Sequence, residues 1–400
     1  MPAMLPCRAM SEAFEREVRE FIARERPPRP EFKLPQTFLE VESKEQFDYL
    51  RAWQAKVYDA GYLGFDVPEA YGGRGIQPDK KRIVERELAR ARAPFFVNTI
   101  ALTWVAPTIL TYGTEAQKQR LLRPLLRADE IWCQGFSEPG AGSDLASLTT
   151  RAEATSDGWS VTGHKVWTTL AHFAKWMILL ARTDPTAHKY AGLSYFLFPM
   201  DAPGVSVQPL IKMTGEGGFN QVVFDSAPMP QDALLGELGQ GWAIAMTTLM
   251  FERGAAEGSS SERAAPFFEQ LARLVELARR TGRSEDPVFR DRIAQLWLEA
   301  QALAFATPRA EAAALNAERP LALPLMNKLV GSEWNQRLAE LACELLGPEA
   351  GLWLGEPSAP DGGEWPRAYM NSFGMTIGGG TSEILRNILG ERVLGLPKSK

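Results

Sequence analysis

The hydrophobic period changes twice along this chain, and those two changes constrain its fold more than any other feature. Over residues 1–128 apolar side chains recur at helical spacing. Phe14, Val18, Phe21 and Ile22 share one face, Ser11 is placed to cap their helix, and RPPRP at 26–30 stops it. Ser43 with Gln46 has the capping-box spacing, opening a helix that runs to Gly61. VPEAYGGRG at 67–75 reads as a loop, and helices follow over about 78–92, 98–112 and 115–127. Between 129 and 240 the period shortens. The runs IWCQGF, TTRAEAT, WSVTGHKVW, WMILLART, SYFLFP, VSVQPL and QVVFD read as short strands, several separated by turn pairs such as Asp157-Gly158 and Pro203-Gly204. Such spacing predicts a barrel or sandwich. From about 241 the helical period returns, with segments near 241–254, 262–282, 287–317 and 322–346. GEPSAPDGGEWP at 355–366 reads as a loop, and a last helix begins at Thr381-Ser382 with Glu383 in its first turn, where the helix dipole favours a carboxylate. The expected class is α+β, with domains over 1–128, 129–240 and 241–400.

Composition removes several functions. With 45% hydrophobic and 23% charged residues in 400, the chain has the make-up of an ordinary soluble protein with an ample core. A formal charge of −5 points to no nucleic acid and no anionic membrane as partner. Cys7, Cys133 and Cys343 are scattered and odd in number, which excludes a disulfide framework or metal cluster and fits a reducing cytoplasm. The opening MPAMLPCRAM lacks an apolar core, so no signal peptide is expected, and the sequence does not decide between Met1, Met4 and Met10 as the start. WMILLA at 176–181 is too short to span a bilayer. His164, His172 and His188 are the only histidines, and HExxH, CxxC, GxxxxGK[ST] and GxSxG motifs are all missing. Chemistry here requires carboxylates or a cofactor.

Two segments in the strand region stand out. WCQGFSEPGAGSD at 132–144 ends a strand in a glycine-rich turn. Gly140 and Gly142 allow close backbone approach, and Ser137 and Ser143 offer hydroxyls, although a plain turn reads equally well. GHKVWTT at 163–169 sets a lysine, an indole and two hydroxyls in strand context. Trp167 reads either as core or as a platform for a planar cofactor with a threonine at its edge.

FSEPGAGSD, GHKVWTT, MTGEGGFNQVVFD, GWAIAMTTLMFERG and IGGGTSEILRNILGERVLGLP, in that order and spacing and joined by VPEAYGGRG, resemble the acyl-CoA dehydrogenase family from about residue 11 to 397. The resemblance implies an N-terminal helical domain, a middle β-barrel domain and a C-terminal four-helix bundle. It implies FAD, with Gln134, Phe136 and Ser137 against the flavin ring, Trp167 and Thr169 flanking the ring and its N5 edge, and Ser143 near flavin and thioester. Thr381 and Glu383 match positions that touch the cofactor diphosphate, usually across a subunit contact. Where the family has an Arg–Phe–Gly pattern for another such contact, this chain has RRTGRSEDPVFRD, which makes Arg283 the candidate.

Straight-chain members carry their catalytic glutamate where this chain has Gly379; another branch takes it from the segment matching 241–254, which points to Glu252 as the base. From Trp242 to Phe251 no side chain is charged, so that helix is expected to be buried all round, ending in Glu252 and Arg253. Without the resemblance, an ordinary Glu–Arg surface pair reads as well. The resemblance also gives the Gly379 N–H a role as donor to the thioester oxygen, and the missing side chain leaves Glu252 room to reach the α-carbon, with burial expected to raise its pKa.

The implied activity is FAD-dependent α,β-dehydrogenation of an acyl-CoA to the 2-enoyl-CoA, with electrons passed to an electron-transfer flavoprotein, in a cytoplasmic homodimer or homotetramer. An oxygen-using oxidase on the same scaffold and one subunit of a hetero-oligomer are the alternatives. RGAAEGSSSERAAP after Glu252 is rich in small residues; Gly254, Ala255, Ala256 and Gly258 read equally as the wall of a broad acyl pocket or as a turn.

Overall fold

A computed structural model describes residues 4–252, 265–311 and 322–398. The chain forms two compact units, Met1–Phe251 and Glu252–Lys400. The expected domains over 1–128 and 129–240 thus share one unit, and the helix expected to open the third joins them.

The first unit begins with helices α1 (Met4–Glu25), α2 (Lys44–Asp59), α3 (Pro78–Arg90), α4 (Ala106–Tyr112) and α5 (Glu115–Arg127). Ser11 does not cap α1, which starts at Met4: Met, Leu, Arg and Ala favour helix, and Pro6 falls in the first turn, where a missing N–H costs nothing. The capping box of α2 forms as expected, Ser43 Oγ accepting from the Gln46 N–H at 3.2 Å and Gln46 Oε1 accepting from the Ser43 N–H at 3.3 Å. The helix expected over 98–112 is divided, because Pro107 has no N–H for the Thr103 carbonyl. A π-turn over Ala101–Val105 leads into α4 instead.

Strands β1 (Trp132–Gly135), β2 (Arg151–Thr155), β3 (Gly158–Thr169), β4 (Trp176–Arg182), β5 (Leu193–Pro199), β6 (Val205–Leu210), β7 (Phe219–Pro230) and β8 (Leu234–Leu235) form one sheet. Its order is β6-β7-β3-β2-β4-β5-β8, with β1 parallel to β4. The two-residue β8 has no counterpart among the seven expected strands. The unbroken apolar run of β4 has a simple cause: both faces of the strand are covered. Trp176, Ile178 and Leu180 enter one core with the helices, while Met177, Leu179 and Ala181 enter a second on the other face.

Helix α6 (Gly241–Glu252) packs on the first of these cores through Ile244 and Ala245. It is not buried all round, as its uncharged sequence led one to expect: Gly241, Ile244, Ala245 and Thr248 are buried, whereas Ala243 and Met250 are exposed. One stripe at i, i+3, i+4 and i+7 is all that a helix lying on a single surface can bury. Thr248 Oγ1 meets Thr108 Oγ1 at 3.0 Å and Tyr195 Oη at 3.1 Å beneath it.

The second unit contains α7 (Ala265–Arg280), α8 (Pro287–Glu311), α9 (Ala322–Leu346), α10 (Glu364–Ile377) and α11 (Ser382–Ile388). Leu274, Leu277, Leu296, Trp334, Leu338, Leu341 and Trp365 form its main core, with Trp334 Nε1 donating to the Leu296 carbonyl at 2.8 Å. Helix α10 starts inside the stretch read as a loop. Gly363, at φ +79°, turns the chain, and Pro366 lies in the first turn, where proline is tolerated. Arg253 and the small residues Gly254, Ala255, Ala256 and Gly258 lie outside the described residues. Among the described residues no helix is long and apolar enough to cross a membrane, and no cluster of three or more metal-ligating side chains occurs.

Candidate active site

In the first unit, the glycine-rich turn and the end of β3 are tied together by a buried ion pair. Lys165, fully buried, donates from Nζ to the Phe136 carbonyl and to Glu138 Oε1, each at 2.9 Å. Glu138 Oε1 also accepts the Thr150 N–H at 2.8 Å, and Oε2 accepts the Thr149 N–H at 2.7 Å and its hydroxyl at 2.8 Å. Burial works to raise the Glu138 carboxyl, but the charge of Lys165 and the donors of Thr149 and Thr150 override it and hold the group at about 2. Burial pulls the Lys165 ammonium down to about 8 against the opposing charge of Glu138, so both are charged at neutral pH. The turn between them is closed by paired backbone bonds from Glu138 to Ala141 and back, at 3.0 and 3.1 Å. Sequence reasoning noted the lysine but missed the pair; the signal was a lysine placed inward in an otherwise half-buried strand.

Beyond Lys165 the strand breaks its alternation. The β3–β7 register shifts between Lys165 and Thr168, and Trp167 takes φ +60°, a conformation side chains rarely adopt. Thr168 and Thr169 both point inward and the indole stands 58% exposed, edge-on to Phe219 with ring centres 5.7 Å apart. Trp167 is therefore not a core tryptophan. The Val166 N–H donates to the Ser137 carbonyl at 2.9 Å, so the two sequence-predicted segments are neighbours. Gln134 Oε1, on a side chain that is only part-buried, has no hydrogen-bond partner, a costly state that a ligand offering a donor relieves; Thr168 Oγ1 is also unmet, but its side chain is fully enclosed. An exposed indole beside unmet polar atoms suits a flavin ring. The Phe136 ring does not reach outward; it is buried edge-on against Tyr195 at 5.8 Å. Ser143 is exposed, and a Cβ at Gly140 or Gly142 would meet nothing within 4 Å, so neither glycine is required by contacts inside the chain.

In the second unit the glycine run follows α10. Gly378 ends that helix, its N–H donating to the Gly374 carbonyl at 2.8 Å, and Gly379 and Gly380 are left-handed at φ +67° and +102°. A Cβ on Gly379 would lie 3.3 Å from Glu252 Oε1 and 3.9 Å from Lys328 Cε. The half-buried Glu252 carboxylate thus sits against the position where a side chain is missing. Lys328 Nζ donates to the Gly380 carbonyl at 2.6 Å and holds the turn, a contact that sequence reasoning missed. Thr381 caps α11, its Oγ1 accepting the Ile384 N–H at 3.2 Å. Glu383 is exposed in the first turn, its carboxyl lowered by its own backbone N–H and then by the Thr381 hydroxyl. Arg283 is exposed after α7, its guanidinium 5.4 Å from the Phe289 ring centre and 3.9 Å from Asp286.

Three family models, for the N-terminal, middle and C-terminal domains of acyl-CoA dehydrogenases, match residues 9–129, 133–227 and 239–394. Acyl-CoA dehydrogenase IpdE1 of Mycobacterium tuberculosis is 42% identical over 357 residues, which cover 88% of this chain and 90% of that protein. Among solved structures, the Tcur3481-Tcur3483 steroid ACAD is similar with a TM-score of 0.79 and 28% identity over 98% of both chains. The ChsE4-ChsE5 complex from Mycobacterium tuberculosis has a TM-score of 0.77 and 30% identity, again over 98% of both chains.

Proposed function

Because the chain belongs to the acyl-CoA dehydrogenase family, whose members are FAD-dependent oxidoreductases, we propose that it desaturates the 2,3-bond of a bulky acyl-CoA with Glu252 as base. The observation that carries this reading is the Glu252 carboxylate lying 3.3 Å from the empty Cβ position of Gly379. Glu252 takes the α-proton of the thioester. The Gly379 N–H donates to the thioester oxygen, where negative charge grows as that proton leaves; backbone donors of this kind stabilise developing oxyanion charge. Lys328 supports this reading by tying the turn at the next carbonyl, that of Gly380. Bound FAD supplies the acceptor for hydride from the β-carbon. Gln134, Ser137, Trp167 and Thr169 in the first unit would hold the ring, Phe136 through its backbone, with Ser143 serving the same end. Thr381 and Glu383 would serve the diphosphate end, and Arg283 is the candidate for the family's other cofactor contact across subunits.

A ring-bearing acyl group is favoured by the likeness to a steroid ACAD. An electron-transfer flavoprotein as the acceptor, and assembly as a homodimer or homotetramer, follow from the family resemblance. Assembly with a second, different chain is the other reading, favoured because ChsE4-ChsE5 is a complex of two differently named proteins. The test is a screen of straight, branched and ring-bearing CoA esters by dye reduction, with peroxide measured alongside and mass determined by light scattering. Yellow protein with about one FAD per chain and ester-dependent dye reduction is expected. Colourless protein that cannot be reconstituted sinks the reading, and peroxide as the main product turns it into an oxidase.

A further inference from the structure

We propose that Lys165 is a positioning residue for the flavin-facing surface: paired with Glu138, it locks the end of β1 to β3 and fixes Ser137 and Trp167 before the cofactor arrives. The proposal rests on the FAD reading of this surface. Its starting point is that a buried ion pair is a poor way to stabilise a fold, since well-packed apolar side chains of similar volume commonly do as well or better. Here both partners are buried, yet five hydrogen bonds, the pair's own included, converge on them. Each of them ties the segment Phe136–Glu138 either to Lys165 or to Thr149 and Thr150.

The backbone explains why such a tie is required. On the β7 side the ladder is irregular between Lys165 and Thr168, so Trp167 itself has no paired partner on β7 and only its neighbours are held there. On the other side the Lys165 ammonium and the Val166 N–H bind the Phe136 and Ser137 carbonyls. The left-handed turn at Trp167 is unfavourable for a tryptophan, and surroundings that over-determine a strained residue are what allow it to persist. The fully buried side chain of Lys165 cannot itself touch a ligand, and so acts through the two segments it joins.

The experiment titrates FAD into cofactor-free protein, following flavin fluorescence and the visible band, with the melting temperature of the FAD-free protein recorded beside it. Lys165→Met/Glu138→Gln removes the pair with little change of shape and leaves no unpaired charge; it is expected to melt close to wild type while its FAD Kd rises at least tenfold and the flavin band shifts. A purely structural pair would move the melting temperature and leave Kd and band alone. Should the double variant fail to fold, Glu138→Asp keeps the charge but shortens the reach to Thr149 and Thr150, and a weaker, spectrally altered FAD complex is again expected. Wild-type Kd and spectrum in whichever variant folds overturns the proposal. Wild-type protein that takes up no FAD sinks the functional reading and the proposal with it.

Discussion

Gly379→Ala separates the two consequences of the missing side chain. At φ +67° an alanine is strained where glycine is not, at a cost of about 1 kcal/mol. In a unit of this size that lowers the melting temperature by roughly 2–4 °C. The new Cβ would also stand 3.3 Å from Glu252 Oε1, closer than an ordinary contact, so the carboxylate must retreat by a few tenths of an ångström. Misplacement by about 1 Å can cost a reaction ~10²-fold, so the smaller retreat corresponds to roughly three- to tenfold. FAD content should stay as in the wild type. The assay is anaerobic stopped-flow reduction of the bound flavin by the best CoA ester, paired with the melting curve. If the melting temperature falls as expected but reduction stays within twofold of wild type, the space at Gly379 is not what lets Glu252 work, and the base assignment loses its main support.

Glu252→Gln should bind FAD normally and lose ~10²–10⁴-fold in flavin reduction; near wild-type reduction would place the base elsewhere. Adding Gly379→Glu to that variant should restore only part of the rate, because the left-handed backbone resists any side chain there; full restoration would show the turn to be pliant. Branched or cyclic CoA esters should exceed butanoyl- or octanoyl-CoA in kcat/KM, and a clear straight-chain preference would contradict the bulky-substrate reading. The folded Glu138 carboxyl titrates at about 2, below its unfolded value, so the stability it provides is full above the ordinary glutamate range and is lost as pH falls through about 2. Acid unfolding of Glu138→Gln should therefore depend less on pH in that window, and an unchanged acid profile would mean that the pair is not linked to folding.

Local chemistry was legible in the sequence wherever a few neighbouring residues settle it. The Ser43–Gln46 box and the helix over 322–346 appear at the expected residues, and β4 is where its apolar run places it. What escaped depends on partners distant along the chain. Lys165 finds Glu138 27 residues away, and Lys328 finds Gly380 52 residues away; no local spacing encodes either. The Phe136 ring turned inward because Tyr195 on another strand receives it. Helix α10 was hidden by a proline and by glycines that belong to its start. Glu252 and Gly379 were joined only through family resemblance, since periodicity shows neither which face of a helix end is occupied nor what lies opposite.

Helix α6 has a consequence for anyone dividing this chain. Family domain boundaries invite a cut near residue 240, ahead of a helix that looks like the start of the C-terminal part. Such a fragment would leave behind the ceiling over one side of the sheet: Ile244 and Ala245 would vanish from a closed core, and the hydroxyls of Thr108 and Tyr195 would lose Thr248. A cut after Phe251 keeps that roof on, but ends the fragment one residue short of Glu252. The proposed catalytic group is itself the last residue of a structural helix, so that helix cannot be shortened, lengthened or re-phased without moving the carboxylate.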